Sequence, residues 1–346
     1  MKVIITQKKL HSSSHTRGIG VYTRELISSL QKKYPSDEFV STPHIPPGFK
    51  ADLLHYPYFD PFFLTLTKLR NIPTVVTIHD LIPLRFPLHF PAGIKGKIKW
   101  FLQRQSIRRV AHIITDSECS KQDIIDLIGF DPDRVSVVPL GPNRAERVPV
   151  KMFQKILKSY HLPAKYLLYV GDLNWNKNIS GLVKAFSSMK EKNLHLVLVG
   201  KVFSDKPDIP QYHELAKLIA SSGKADKIII LGYVPSHHLS VIYSSATLYV
   251  QPSWYEGFGL PILEAMKFGC PVATSNRGSL PEIGGEAVAY FDPGKNMTET
   301  IESLLSSPTH LSNLSALGLL QAKRFTWERT AQLTHQVYEK VLGLAA

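Results

Sequence analysis

Cys119 and Cys270 are the only thiols in 346 residues, and they lie far apart. A disulfide-built protein of this length would carry more, so both read as reduced thiols in a cytosolic setting. Cys270, between Gly269 and Pro271, reads as a small buried side chain. Long apolar runs are also missing. No window approaches the ~20 apolar residues of a membrane span. The opening MKVIITQKK holds too short a run for a signal peptide. The expectation is a cytoplasmic chain that is neither integral nor exported by that route. Metal arrays are lacking too: of 14 histidines none has His-Glu-x-x-His or similar spacing, so no metal is expected. Zinc-finger spacing and RNA-recognition sequences are absent, which leaves no nucleic-acid signature.

What is present is ordinary in bulk, with 44% hydrophobic and 20% charged residues. The length exceeds what one core usually fills, so two domains are expected. The formal charge of +13 favours an anionic partner. It is spread out, with 21 basic against 13 acidic side chains up to residue 150 and 20 against 15 beyond. That spread argues against a dedicated nucleic-acid domain.

Short apolar runs alternate with amphipathic stretches. The strand candidates of the first half are Lys2–Thr6, Leu53–Tyr56, Thr74–His79, His112–Thr115 and Val135–Pro139. Those of the second half are Tyr166–Val170, His195–Val199, Ile228–Leu231, Leu248–Gln251, Val272–Thr274 and Val288–Phe291. Continuous apolar runs without alternation mark strands covered on both faces. Helical patterns between them, such as Tyr22–Lys33 and Ile179–Met189, predict βαβ units and parallel sheets. The series restarts after Gly141-Pro142-Asn143, leading into a helical pattern at Lys151–Ser159. The expected fold class is therefore α/β, with two doubly wound domains: residues 1–145 and 146–325, then a closing helix over 326–346 returning to the first domain. Such sheets bind ligands beyond the C-terminal ends of their strands.

One stretch concentrates the chemistry: YEGFGLPILEAMKFG, Tyr255 to Gly269. Pro261 predicts a helix starting near Leu260, because proline suits the first helical position. Gly257 and Gly259 before it would let a ligand approach the backbone, and helix N-termini attract phosphate. Glu256 and Glu264 are odd neighbours for an anion. Two readings remain open on spacing alone. Either both acids bind ligand hydroxyls, or Glu256 complements the helix dipole and Glu264 meets a basic surface residue.

The run EGFGLPILEAMKFGCPVATS, followed by GSLPEIGGEAVAYFDP, resembles the donor-binding segment of glycosyltransferase family four. The family comprises retaining enzymes of the GT-B fold, with two Rossmann-like domains facing across a cleft. The resemblance extends to Tyr22–Leu26, Thr77–Asp80, Thr115–Ser120 and the closing helix Phe325–Leu342. It implies that Glu256 holds donor-sugar hydroxyls near the anomeric carbon. Gly257, Phe258, Gly259 and Leu260 would lie along the sugar and diphosphate, and Glu264 would bind the ribose.

In VGDLNWNKN the resemblance places Gly171 at the donor and Lys177 on the diphosphate, but Asp172 stands where the family usually has Arg. Lys177 read alone would be a solvated turn residue. Arg17-Gly18-Ile19-Gly20 lacks the third glycine of the Rossmann fingerprint. The resemblance nevertheless brings Gly18 and Gly20 to the donor phosphate. It makes His79 a functional hydrogen-bond donor near the sugar, and lays Gly232–Pro235, with Val234, along the nucleobase. TIHDLIPLRFP resembles the mannosyltransferase-like branch, which implies GDP-mannose as donor. Ser117 reads as a helix N-cap and Asp131-Pro132-Asp133 as a turn rather than a metal-binding DxD.

Lys95–Val110 carries six positive charges and no acid. Its apolar residues either pack on the first domain or lie on an anionic membrane. The expected activity is retaining, metal-independent transfer of a hexose to an acceptor hydroxyl, without a cofactor. The acceptor would be a glycan or lipid-linked glycan, met at the inner face of the cell membrane. Catalysis would rest on Glu256, His79 and Lys177. A non-catalytic GT-B binding protein and a nucleotide-sugar epimerase are the alternatives.

Overall fold

The computed structural model describes residues 1–6, 18–43, 50–66, 71–144, 148–204 and 208–344. The chain divides into two compact units, Met1–Gly141 with Phe325–Ala346, and Pro142–Arg324.

The first unit holds a six-stranded parallel sheet of β1 (Lys2–Thr6), β2 (Glu38–Thr42), β3 (Leu53–Tyr56), β4 (Thr74–Thr77), β5 (His112–Thr115) and β6 (Val135–Val137). Their order is β2-β1-β3-β4-β5-β6. β4 and β5 are buried at every position, as expected of strands with helices on both faces. β2 has no counterpart among the sequence expectations. It is an edge strand, EFVST, in which Phe39 alone is fully buried, so it lacks the apolar run of a central strand. β4 ends at Thr77, two residues short of the expected His79, which places the imidazole just past the strand.

The helix expected at Tyr22–Lys33 begins earlier, at Gly18, and packs against the closing helix Trp327–Leu342. Ala331, Thr334 and Tyr338 recur at helical spacing and are fully buried, each at 0% exposure. Burying a large apolar side chain contributes about 1.5–3 kcal/mol, and the buried Trp327, Val337 and Tyr338 are where the closing helix finds that gain.

Ser117 caps the Glu118–Ile128 helix, its side chain accepting the Ser120 N–H at 3.0 Å. Asp131 accepts the N–H of Asp133 at 3.0 Å at the head of a single 3₁₀ turn, so the DxD spelling is a turn. The Gly93–Ile107 helix meets the packing reading in part, since Trp100 and Ile107, with Val110 just beyond, lie on the core of the first unit. Gly96, Gln103 and Ile107 are its buried residues, whereas Ile98, Phe101 and Leu102 are exposed.

The second unit repeats the plan with β7 (Tyr166–Val170), β8 (His195–Val199), β9 (Ile228–Leu231), β10 (Leu248–Gln251), β11 (Val272–Ser275) and β12 (Ala289–Phe291). All pair in parallel, in the order β12-β11-β10-β7-β8-β9. From β7 the chain adds β8 and β9 on one side, then returns to place β10 on the other. The strand order therefore reverses between β7 and β10, the position at which open α/β sheets bind ligands at the C-terminal ends of their strands.

Candidate functional site

Lys177 and Glu256 follow β7 and β10, and that shared edge of the sheet brings them together. Lys177 Nζ donates to both carboxylate oxygens, at 2.9 Å to Oε1 and 2.7 Å to Oε2. Gln251 Nε2 reaches Oε1 at 2.9 Å and Ser253 Oγ reaches the same oxygen at 2.6 Å. Oε1 thus has three donors, while Oε2 takes Lys177 alone among the described residues. Tyr249 donates its hydroxyl to Gln251 Oε1, which fixes the amide with its NH₂ toward the carboxylate. The acid itself is buried, with 5% exposure.

The backbone around Glu256 is held as firmly. Its carbonyl accepts the N–H of Ser279 at 3.1 Å and the Ser279 hydroxyl at 3.0 Å. Gly278 has φ +59°, and a Cβ there would come within 2.8 Å of the Glu256 nitrogen, so a side chain at 278 would push the acid out of place. Asn176 donates to the Tyr255 carbonyl at 3.0 Å and accepts the Trp254 N–H at 2.8 Å, tying the two loops together. A carboxylate this constrained is preorganised, and its orientation does not depend on a ligand.

Gly257 and Phe258 are buried, and Gly259 at φ +100° turns the chain into the Leu260–Lys267 helix. Leu260 opens that helix with Pro261 behind it, as the sequence predicts. Glu264 lies one turn in and is only partly buried. Tyr243 donates to its Oε2 at 3.1 Å. Burial pushes the Glu264 carboxyl up to about 7, against the opposing pull of Tyr243 and Lys267. Its partner is thus a phenol rather than the basic surface residue of the alternative reading. Lys267 instead donates to the Asn143 carbonyl at 2.6 Å.

Gly171 directly follows β7, its N–H bonded to the Val199 carbonyl at 2.9 Å. Asp172 turns its carboxylate onto the N–H of Leu173 at 3.0 Å, so it acts as a turn residue. Val234 is buried just past β9, beside Tyr233, which is exposed and whose N–H reaches Ser204 Oγ at 2.7 Å.

His79 belongs to the first unit and heads a separate cluster. Its Nδ1 lies 2.7 Å from Asp116 Oδ2 and its Nε2 lies 3.3 Å from the Pro57 carbonyl. The edge of the ring meets Tyr22 at 4.6 Å between centroids. Both nitrogens face oxygen acceptors, which suits the doubly protonated ring. Burial alone would lower the His79 value, but the Asp116 carboxylate outweighs it and holds the imidazole above the usual histidine range. Asp116 is buried, and its Oδ1 has no hydrogen-bond partner among the described residues. Gly18 and Gly20 form the first turn of the Gly18–Lys33 helix, and Arg17 lies outside the described residues.

Sequence reasoning did not pick out Gln251, Ser253 or Tyr243, nor Asp116. A signal existed for two of them. Gln251 ends an apolar strand and Asp116 follows another, and a polar residue at the C-terminal end of a buried parallel strand points toward the ligand side.

The family model described as "Glycosyl transferases group 1" matches residues 154–318, and that of "Glycosyltransferase Family 4" matches residues 44–146. O-antigen chain mannosyltransferase B of Escherichia coli is 31% identical over 297 residues, 83% of this chain and 75% of that protein. The serotype-specific mannosyltransferase WbdA of Escherichia coli is 28% identical over 79% of this chain, which spans 34% of WbdA. Sucrose-phosphate synthase from Thermosynechococcus elongatus superposes with a TM-score of 0.79 at 19% identity, over 99% of both chains. Anabaena Alr3699/HepE, solved in complex with UDP and glucose, gives 0.75 at 16% identity over 98% of this chain and 100% of that one. Those structures carry the fold and the mannosyltransferase relative carries the family: the chain belongs to the family 4, group 1 glycosyltransferases of GT-B fold, in their mannosyltransferase-like branch.

Proposed function

We propose that this glycosyltransferase moves a hexose, mannose from GDP-mannose in the first instance, onto an acceptor hydroxyl with retention of anomeric configuration. The observation that carries the reading is the Glu256 cluster at the β7/β10 edge, next to a helix N-terminus that leads to Glu264. Glu256 Oε2, with Lys177 as its one donor, has acceptor capacity for a sugar hydroxyl. Glu264 takes the ribose hydroxyls, and the amides of Gly257, Phe258 and Gly259 with Leu260 lie along the diphosphate between them. Gly171 and Val234 border the sugar and the base, and Gly18 and Gly20, in the first turn of the Gly18–Lys33 helix, are assigned as donor-binding residues.

In the reaction the bond from the anomeric carbon to the diphosphate oxygen breaks and a bond to the acceptor oxygen forms. The leaving phosphate takes the acceptor's proton. Negative charge growing on the diphosphate is met by Lys177 and the helix N-terminus, and positive charge on the sugar by Glu256, so neither a metal nor another cofactor is required. On the first unit, His79 is assigned as a catalytic hydrogen-bond donor through Nε2, whose 3.3 Å contact with the Pro57 carbonyl is the longer of the ring's two. The mannosyltransferase relatives support mannose, and the UDP and glucose in the Anabaena structure support a nucleotide-sugar donor. The acceptor is a glycan or lipid-linked glycan of cell-surface assembly, met at the cytoplasmic face of the membrane.

The test is thermal unfolding with GDP, UDP and ADP, followed by transfer assays with the matching sugars in the presence of EDTA. A nucleotide at about 100 times its dissociation constant stabilises the fold by roughly 2.7 kcal/mol. A shift with GDP and an α-linked product from GDP-mannose are the expected results. No shift with any nucleotide would favour a second reading, a non-catalytic binding protein. The observation behind that reading is Asp172, whose carboxylate is turned into its own loop where a second phosphate cation is expected.

A further inference from the structure

The Gly93–Ile107 helix carries two apolar stripes, and the larger one faces solvent. Gly96, Trp100, Gln103 and Ile107 recur at i, i+4, i+7 and i+11 and turn toward the unit, with Trp100 and Ile107 on its core. Ile94, Ile98, Phe101 and Leu102 recur at i, i+4, i+7 and i+8 and are exposed by 80%, 57%, 64% and 50%. Four large apolar side chains in one exposed row exceed the scattered singles of an ordinary surface.

The row continues onto a neighbouring turn. Gln103 is fully buried and its amide nitrogen donates to the carbonyls of Asp60 and Phe63, while its oxygen accepts the Leu66 N–H at 2.8 Å. That pins the turn against the helix and presents Phe63 and Leu64 outward, with Lys99 Nζ 5.2 Å from the Phe63 ring centre. By helical periodicity Lys95 and Lys99 run along one side of the exposed row, and Lys97, Arg104 and Arg108 along the other. The helix has no acidic residue.

We propose that this face docks on an anionic phospholipid bilayer, with Ile94, Ile98, Phe101 and Leu102 entering the acyl boundary and the flanking cations on headgroup phosphates. The proposal deepens the membrane-face placement given above and rests on that part of it. An apolar row between two cationic edges is the arrangement an anionic interface selects. A second copy is the wrong occupant, because it would set the same cations against each other.

Sedimentation with vesicles of phosphatidylcholine, alone or mixed with phosphatidylglycerol, tests it on the full chain. The chain should pellet with the mixed vesicles and be released by salt. Lys95→Gln, Lys97→Gln and Lys99→Gln together should weaken binding about 100-fold, at about fivefold per cation. Phe101→Ser with Leu102→Ser should weaken it at least about tenfold by removing buried apolar area. Phe101→Trp should shift its fluorescence to shorter wavelength on mixed vesicles only. Thermal unfolding with GDP reads the donor site separately, so a wild-type chain that keeps that shift but binds no vesicle overturns this proposal alone. A wild-type chain that stays in solution with every vesicle overturns it, as does binding that ignores the Phe101 and Leu102 changes. A concentration-dependent dimer that Phe101→Ser dissociates, without vesicle binding, would assign the face to a second copy.

Discussion

Tyr338 Oη lies 2.6 Å from His55 Nδ1, a contact between residues 283 positions apart that joins the closing helix to β3. The other ring nitrogen of His55 lies 2.8 Å from Thr77 Oγ1, and Thr77 lies 3.0 Å from the Tyr22 hydroxyl. Tyr22 in turn packs edge-on to His79. A buried polar chain thus runs from the closing helix to the candidate catalytic histidine, with His55 held neutral because burial lowers it to about 3. Tyr338→Phe leaves a buried imidazole nitrogen without its partner. The expected loss is about 1–3 kcal/mol in chemical denaturation, with a smaller fall in turnover. An unchanged denaturation midpoint would show that the contact contributes nothing.

Asp116 acts through His79. Because the carboxylate raises the imidazole above its ordinary value, the charged ring is favoured, and its contribution is lost as pH rises through the raised value. Asp116→Asn removes the charge and keeps the shape. The alkaline fall of turnover should then move to lower pH, with GDP-induced stabilisation intact. A profile that merely drops in height would make Asp116 a packing residue.

Glu256→Gln retains volume but removes the charge that Lys177 pairs with. Turnover should fall about 10²-fold or more, the scale of one lost electrostatic contact in the transition state. Nucleotide affinity should change little. Loss of nucleotide binding with residual turnover unaffected would reverse the division of roles between Glu256 and the helix N-terminus.

Glu264 carries a raised carboxyl, so its stabilising effect is fully present below the ordinary carboxyl value and is lost as pH rises through about 7. Glu264→Gln should therefore match the wild type near pH 4 and be more stable at pH 8, on the order of 1–3 kcal/mol after allowance for its partial exposure. The same change should weaken nucleotide binding by calorimetry. Unaltered affinity would remove Glu264 from the ribose.

The central strands were legible because strands buried on both faces need continuous apolar runs, and β3, β5, β7, β8 and β10 occupy the expected residues. β2 was not legible, since an edge strand needs only a residue such as Phe39 facing in. The Leu260 helix start was readable from Pro261 and its glycines. The partners of Glu256 were not. Lys177 stands 79 positions away and meets the acid only because β7 and β10 are neighbours, a fact of sheet order that no local pattern encodes. The Gly93–Ile107 helix was legible only in part, for a related reason. Gln103 and Gly96 face inward because they serve one particular turn, and hydrophobicity alone assigns that face to Phe101 and Leu102.

The closing helix also fixes an order of events during synthesis. The sheet of the first unit emerges from the ribosome before Pro142–Arg324, and the helix that packs on Gly18–Lys33, with Trp327 against Tyr22, emerges after it. The groove along Gly18–Lys33 therefore stands uncovered while the whole second unit is made. Cotranslational folding can finish Pro142–Arg324 first, and the first unit is completed only when Tyr338 reaches His55.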